Sequence, residues 1–229
     1  MSRMDIFDTA GDAAWDFIGP AAYTDTAGDN SPWRVKITGA APPTATLGNV
    51  SGGIGELTLA LEATSQVQNV CLYHGNLLQF DIDNLLSVEW RIKMGQAAFT
   101  TGSVFSFGVG SDRSDTYTSM TAFAAFSLTG ATSTTLVYAE TDDNVTDVAP
   151  ASTGKTLVAA YKHFMIDFSN GTSDVRFFVG GEPVLQGTTF NMSGYTAGLQ
   201  PYAQISKALN TNADTAIIDY CRIKCRRPV

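Results

Sequence analysis

From residue 55 onward, apolar and polar positions alternate with period two. Leu57, Leu59 and Leu61 alternate with Thr58, Ala60 and Glu62, and Phe105, Phe107 and Val109 with Ser106 and Gly108. Val88, Trp90, Ile92 and Met94 alternate with Glu89, Arg91 and Lys93, one apolar face and one charged. Phe164, Ile166 and Phe168 alternate with Met165 and Asp167, and Val175, Phe177 and Val179 with Arg176 and Phe178. Each run predicts a half-buried strand. Val88, Trp90, Ile92, Phe164, Ile166, Val175 and Phe177 are therefore expected in the core. In the last run Ile217, Asp219, Cys221 and Ile223 share one face, and Ile218 and Tyr220 the other. That mixture predicts a central strand covered on both sides.

Turn residues punctuate the runs. Asn170-Gly171 and Gly180-Gly181 are hairpin cues. Ala40–Gly55 and Thr129–Thr135 read as loops. No long window has a helical period, so helix should stay below about 15%. Short helical turns are expected only near Ala10–Phe17 or Ser206–Leu209. Many short strands between turns predict an all-β antiparallel sandwich or barrel. Residues 1–32 are rich in Asp, Ala, Gly and Thr, with scattered aromatics Phe7, Trp15, Phe17 and Tyr23. They are read as an N-terminal arm or extended segment, either an outer strand or a reach toward a partner. Residues 33–229 are read as a single sandwich domain.

Only 16% of residues are charged, against about 25% in an average soluble domain, so Ser, Thr, Asn, Gly and Ala cover the surface. Extracellular or virion proteins have such surfaces. A net charge of −8 argues against nucleic-acid partners, because phosphate contacts need a basic face. There is no apolar run long enough to span a membrane as a helix, and the opening residues do not read as a secretory signal. Cys71, Cys221 and Cys225 are read as buried free thiols. Zinc would need two further ligands, and His74 and His163 are the only histidines.

Residues 161–190 read YKHFMIDFSNGTSDVRFFVGGEPVLQGTTF, and residues 199–223 read LQPYAQISKALNTNADTAIIDYCRI. This text resembles the concanavalin A-like or laminin G-like jelly roll. That family carries a V-x-F-Y-V-D-G hairpin and a late I-D-Y-hydrophobic strand. Val175–Val184 and Ile217–Tyr220 match, with Gly180 where the hairpin Asp stands in the family. Phe80–Met94 resembles the early inner-sheet strands. The wording is also similar to that of structural proteins of tailed bacteriophages. The resemblance implies a concanavalin A-like β-sandwich with little helix.

Laminarinase-type glycosidases of that family carry Glu-x-Asp-x-x-Glu on one strand. Here only Glu140 is followed by an acid two residues on, Asp142, and Val145 occupies the last position. No Gly-x-Ser-x-Gly elbow accompanies either histidine, and no phosphate-cradling glycine loop is present. No catalytic residue is therefore assigned. The relatives often bind calcium, and the Asp81-Ile82-Asp83-Asn84 and Asp142-Asp143-Asn144 turns offer hard oxygen ligands. Asp and Asn also favour turns for local reasons, so no cofactor is assigned.

Arg222, Lys224, Arg226 and Arg227 gather four of the 14 basic residues at one end. With Trp15, Phe17 and Tyr23 they are the candidate partner-binding residues. The expectation is a non-enzymatic virion protein, assembled in the host cytoplasm. In this reading it decorates the major capsid protein shell as a homo-oligomer, a trimer being one option. The alternative is a carbohydrate-binding or receptor-binding module of a tail or fibre, with Tyr117, Tyr138 and Tyr195 stacking on sugars.

Overall fold

The structure, a computed structural model, describes residues 4–5, 12–16, 32–50 and 54–226. Among the described residues the strands in chain order are β1 (Met4–Asp5), β2 (Asp12–Asp16), β3 (Arg34–Thr38), β4 (Thr44–Val50), β5 (Ile54–Ala60), β6 (Gln66–Tyr73) and β7 (Phe80–Asp81). Then come β8 (Leu85–Met94), β9 (Ser103–Gly110), β10 (Phe123–Thr129), β11 (Leu136–Asp142), β12 (Asp147–Thr156) and β13 (Lys162–Asp167). The last four are β14 (Arg176–Val179), β15 (Glu182–Val184), β16 (Gly198–Asn210) and β17 (Thr215–Cys225). Helix among these residues is confined to two 3-10 turns, Ile82–Asn84 and Tyr117–Ser119. The fold is thus an all-β antiparallel sandwich, as the alternation implied.

One sheet runs β1-β2-β17-β8-β13-β14-β15, with β5 joined to β17 and β4 to β5. The other runs β12-β11-β10-β9-β16-β6-β3, with β7 beside β16. Their facing sides make one core. Val88, Trp90, Ile92, Phe164, Ile166, Val175 and Phe177 all lie in it, each at most 1% exposed. Phe164 of the first sheet meets Phe107 at 4.9 Å and Phe126 at 5.1 Å, and Phe126 meets Phe177 at 5.0 Å. These edge-on ring contacts bind the sheets together and set their spacing.

The Gly180-Gly181 cue forms a two-residue hairpin, with Val179 paired to Glu182 and both glycines at positive φ (64° and 84°). That is the primed turn geometry, which glycine adopts without a Cβ clash. Other expectations change. The Ala40–Gly55 stretch contains β4 and part of β5, paired with each other, because Thr-rich alternation suits a strand despite its small residues. Ser206–Leu209 lies inside β16, and Asp12–Asp16 is a strand paired with β17. In β17 a register shift between Ile218 and Tyr220 inserts Asp219 as an extra residue. The bulge reverses the period, so Ala216, Ile218, Cys221 and Ile223 face the core. Tyr220, Arg222 and Lys224 are half-buried on the other side.

Candidate functional site

Each sheet turns its second side away from the core, and the two sides differ. On the second sheet the residues between β9 and β10, 111–122, fold back as a strap. Ser111 N donates to Ala122 O at 2.8 Å, closing its base. Tyr117 and Met120 descend from the strap onto Cys71, Tyr73, Phe123, Ala125 and Tyr202, forming a second apolar cluster. Gly110 permits the seating, since a Cβ there would stand 2.6 Å from Met120 Sδ. Asn69 and Gln204 each donate a side-chain amide to Asp115 O at 2.6 Å. Their own amide oxygens are buried and meet no donor among the described residues.

Beneath the strap lies Glu140, 3% exposed. Its Oε1 accepts hydrogen bonds from Tyr117 at 2.9 Å and Ser127 at 2.6 Å. Burial raises its pKa, against the two hydroxyl donors, which lower it. Cys71 beside this cluster is pushed up to about 12 by burial, which leaves a thiol without nucleophilic character. Tyr117, expected as a sugar-stacking loop residue, is a buried part of this seal; Tyr138 and Tyr195 are half-buried. Polar neighbours in the sequence hid the inward turn of Tyr117.

The outer side of the first sheet is open and polar. Arg91 pairs with Asp219, and Lys93 with Glu56 at 3.0 Å. Both cations lie over the Tyr161 ring, at 4.2 and 4.3 Å from its centre. Tyr161 also donates to Glu56. Burial raises the Glu56 pKa, but the Tyr161 and Lys93 bonds outweigh it and the net shift is downward. Farther along, Tyr220 donates to Glu89, and His163 Nδ1 lies 2.9 Å from Tyr220 Oη and 3.2 Å from Glu89 Oε1. A hollow of about 360 Å³ opens beside this trio, lined by Glu89, His163, Met165, Phe178, Gly180 and Gly181. In the sequence Glu89 is one member of a charged strand face, and His163 stands in a strand without a nucleophile elbow. The signal that joins them is register: β13 pairs with both β8 and β14, which puts Glu89, Met165 and Phe178 in one cross-strand row.

The calcium candidates are occupied by their own turns. Asp81 accepts from Asp83 N at 3.1 Å and Asn84 Nδ2 at 2.9 Å. Asp143 is buried; its Oδ1 accepts from Val145 N at 2.9 Å and Thr146 N at 2.5 Å, and its Oδ2 from Gly194 N at 2.7 Å. Burial raises the Asp143 pKa, but these amides win and lower it. Among the described residues no three His, Cys, Asp or Glu side chains converge for a metal. Cys71 and Cys221 are buried free thiols, whereas Cys225 is half-buried.

Of the candidate partner-binding residues, Trp15 stands in β2 opposite Cys221, and Arg222 and Lys224 stand in β17. Arg226 is exposed, and its guanidinium donates to Ser169 O at 3.3 Å. Phe17, Tyr23 and Arg227 lie outside the described residues.

No protein-family model matches the sequence, and no curated protein matches it. Solved structures do match. The Emp47p carbohydrate recognition domain aligns with a TM-score of 0.61 and 12% identity, over 93% of this chain and 94% of that one. A Bacteroides ovatus family 16 glycoside hydrolase, solved with a G4G4G3G product, aligns with a TM-score of 0.62 and 11% identity, over 86% and 96%. The fold is a concanavalin A-like jelly roll. A protein of unknown function from Shewanella oneidensis MR-1 shares it, with a TM-score of 0.63 and 10% identity over 97% of this chain and 89% of that one.

Proposed function

We propose that this jelly roll is a non-catalytic carbohydrate-binding module. The observation that carries this reading is the closed side of the second sheet. Glycoside hydrolysis by retention needs two carboxyl groups about 5–5.5 Å apart with the sugar between them. Glu140 is covered by Tyr117, and two hydroxyls fill its Oε1. The acid two residues on, Asp142, caps its own turn by accepting from Asn144 N at 2.8 Å. A sandwich whose acid strand is sealed in this way is suited to holding a ligand on a surface. The carbohydrate recognition domain of Emp47p has the same architecture. Among the described residues no feature singles out a capsid shell as the partner.

The test is a glycan array probed with the full chain, alongside a reducing-sugar assay on the glycans it retains. Retention without product is expected. Product release that disappears in Glu140→Gln would make the protein a hydrolase and end this reading.

A further inference from the structure

We infer that the sugar site lies on the outer side of the first sheet, in the hollow between Phe178 and the Glu89–His163–Tyr220 trio, and that it takes a neutral sugar through two adjacent hydroxyls. This rests on the carbohydrate-binding reading and assigns it a place and a ligand class.

The hydrogen-bond order within the trio fixes what it presents. Tyr220 has one hydroxyl proton and gives it to Glu89 Oε1. His163 Nδ1, within reach of both Tyr220 Oη and Glu89 Oε1, is then the N–H donor. That leaves Nε2, the other ring nitrogen, to the ligand. Glu89 Oε2 is an acceptor with no hydrogen-bond partner among the described residues. A carboxylate oxygen beside a ring nitrogen calls for two neighbouring hydroxyls, one donating to Oε2 and the other bonding Nε2. Bonding to Glu89 Oε2 needs an O–H donor, which the phosphate, sulfate or carboxylate group of an anionic ligand does not supply.

The rest of the hollow is apolar or bare. Met165 and Phe178 stand side by side as a cross-strand pair, and both are half-buried. A flat hydrocarbon patch beside a few fixed polar atoms is how small-ligand sites obtain both affinity and orientation. A pyranose matches it, with a C–H face for Phe178 and Met165 and vicinal hydroxyls on its edge. The far wall is the Gly180-Gly181 turn, where an added Cβ would meet nothing within 4 Å. Gly180 leaves the space beyond it empty. Phe178 also lines a neighbouring hollow of about 380 Å³, whose charged pair, Arg176 and Asp174, is closed on itself at 2.8 Å. The inferred site is therefore confined to the first hollow.

The experiment uses the full chain with a panel of cello-, laminari-, manno- and galacturono-oligosaccharides, followed by calorimetric titration of the tightest neutral binder. Binding of a neutral oligosaccharide and none of galacturonate is expected. Phe178→Ala and Glu89→Gln should each weaken it at least tenfold. Gly180→Asp, which keeps a residue tolerant of positive φ, should weaken it comparably by filling the wall. Thermal melts of all three check folding; Glu89→Gln keeps the shape of the side chain and carries the decision if Phe178→Ala unfolds. Unchanged affinity in folded variants overturns the site and leaves the carbohydrate reading standing. Loss of affinity in Asn69→Ala or Gln204→Ala alone moves the ligand beneath the strap and also overturns it. Galacturonate as the preferred ligand contradicts the contact with Glu89. If no oligosaccharide binds the unmodified chain, the carbohydrate reading itself falls.

Discussion

The outer sides of the two sheets begin from the same geometry and end as opposites. Between β9 and β10 the chain uses 111–122, long enough to lie back over its sheet and bring Tyr117 and Met120 down as a plug. Between β14 and β15 it uses only Gly180-Gly181, which reaches over nothing. The loop length between neighbouring strands thus decides whether a sheet surface becomes a second small core or stays available. Polar groups follow suit. Glu140 under the strap depends on two protein hydroxyls, whereas Glu89 on the open side keeps an oxygen to offer.

Damage to the shared core should be largest and blind to this contrast. Phe126→Ala removes a ring that touches Phe107, Phe164 and Phe177. It should cost about 3–5 kcal/mol in denaturant unfolding, as should Trp90→Ala. An unshifted midpoint in either variant would mean that the inter-sheet packing is wrongly described.

Next comes acid. His74, at the end of β6, is 1% exposed and sits edge-on to Trp33 at 5.3 Å. Burial, with a smaller contribution from Arg34, brings its pKa from 6.5 down to about 4. The unfolded chain then binds the proton more readily. The stability tied to His74 is whole above pH 6.5 and is lost as pH falls toward 4, by about 3 kcal/mol in all. Glu140 works the other way. Its pKa is raised above 4.5, so its contribution is whole below pH 4.5 and declines as pH rises through the folded value. Stability–pH curves check both: His74→Phe should flatten the acid limb, and Glu140→Gln should remove the decline above pH 4.5.

A matched pair of tyrosines sharpens the contrast directly. Tyr117→Phe strips a donor from a buried carboxyl and should cost about 1–3 kcal/mol. Tyr220→Phe does the same to a half-exposed one and should cost under about 1 kcal/mol. Equal losses in urea unfolding would mean that the strap does not seal. Smallest of all, Asp174→Asn disturbs only exposed bonds, from Arg176 and Asn170, and should leave the melting temperature where it is.

How much of this could be read from the sequence depends on whether one face decides the pattern. In β8 every second residue from Val88 to Met94 is buried and its neighbours are not, so period two is visible in the letters. In β17 the inserted Asp219 breaks the count, and nothing in Ile217–Cys221 marks the extra residue. Tyr117 sits in a run of Ser, Asp and Thr that looks like any exposed loop; its burial comes from strands β6, β10 and β16, distant in sequence. The Glu89–His163–Tyr220 trio is likewise built by ladder register. Each member has an unremarked place in its own strand, and they meet only when β8, β13 and β17 lie side by side.

The position of β17 has a consequence for how the protein is made. Strands β5 and β8 do not pair with each other; each pairs with β17, which lies between them. Tyr220 meets Glu89 across 131 residues of chain. During synthesis β5 and β8 leave the ribosome long before the strand that joins them. The second sheet waits on a late strand as well, since β16 joins β6 to β9 and ends just before β17 begins. Non-local pairing of this kind is slow to form, and unpaired strand edges invite association meanwhile. Assembly of both sheets is therefore a late event in biosynthesis, with β16 and β17 as keystones that arrive after the other stones of the arch.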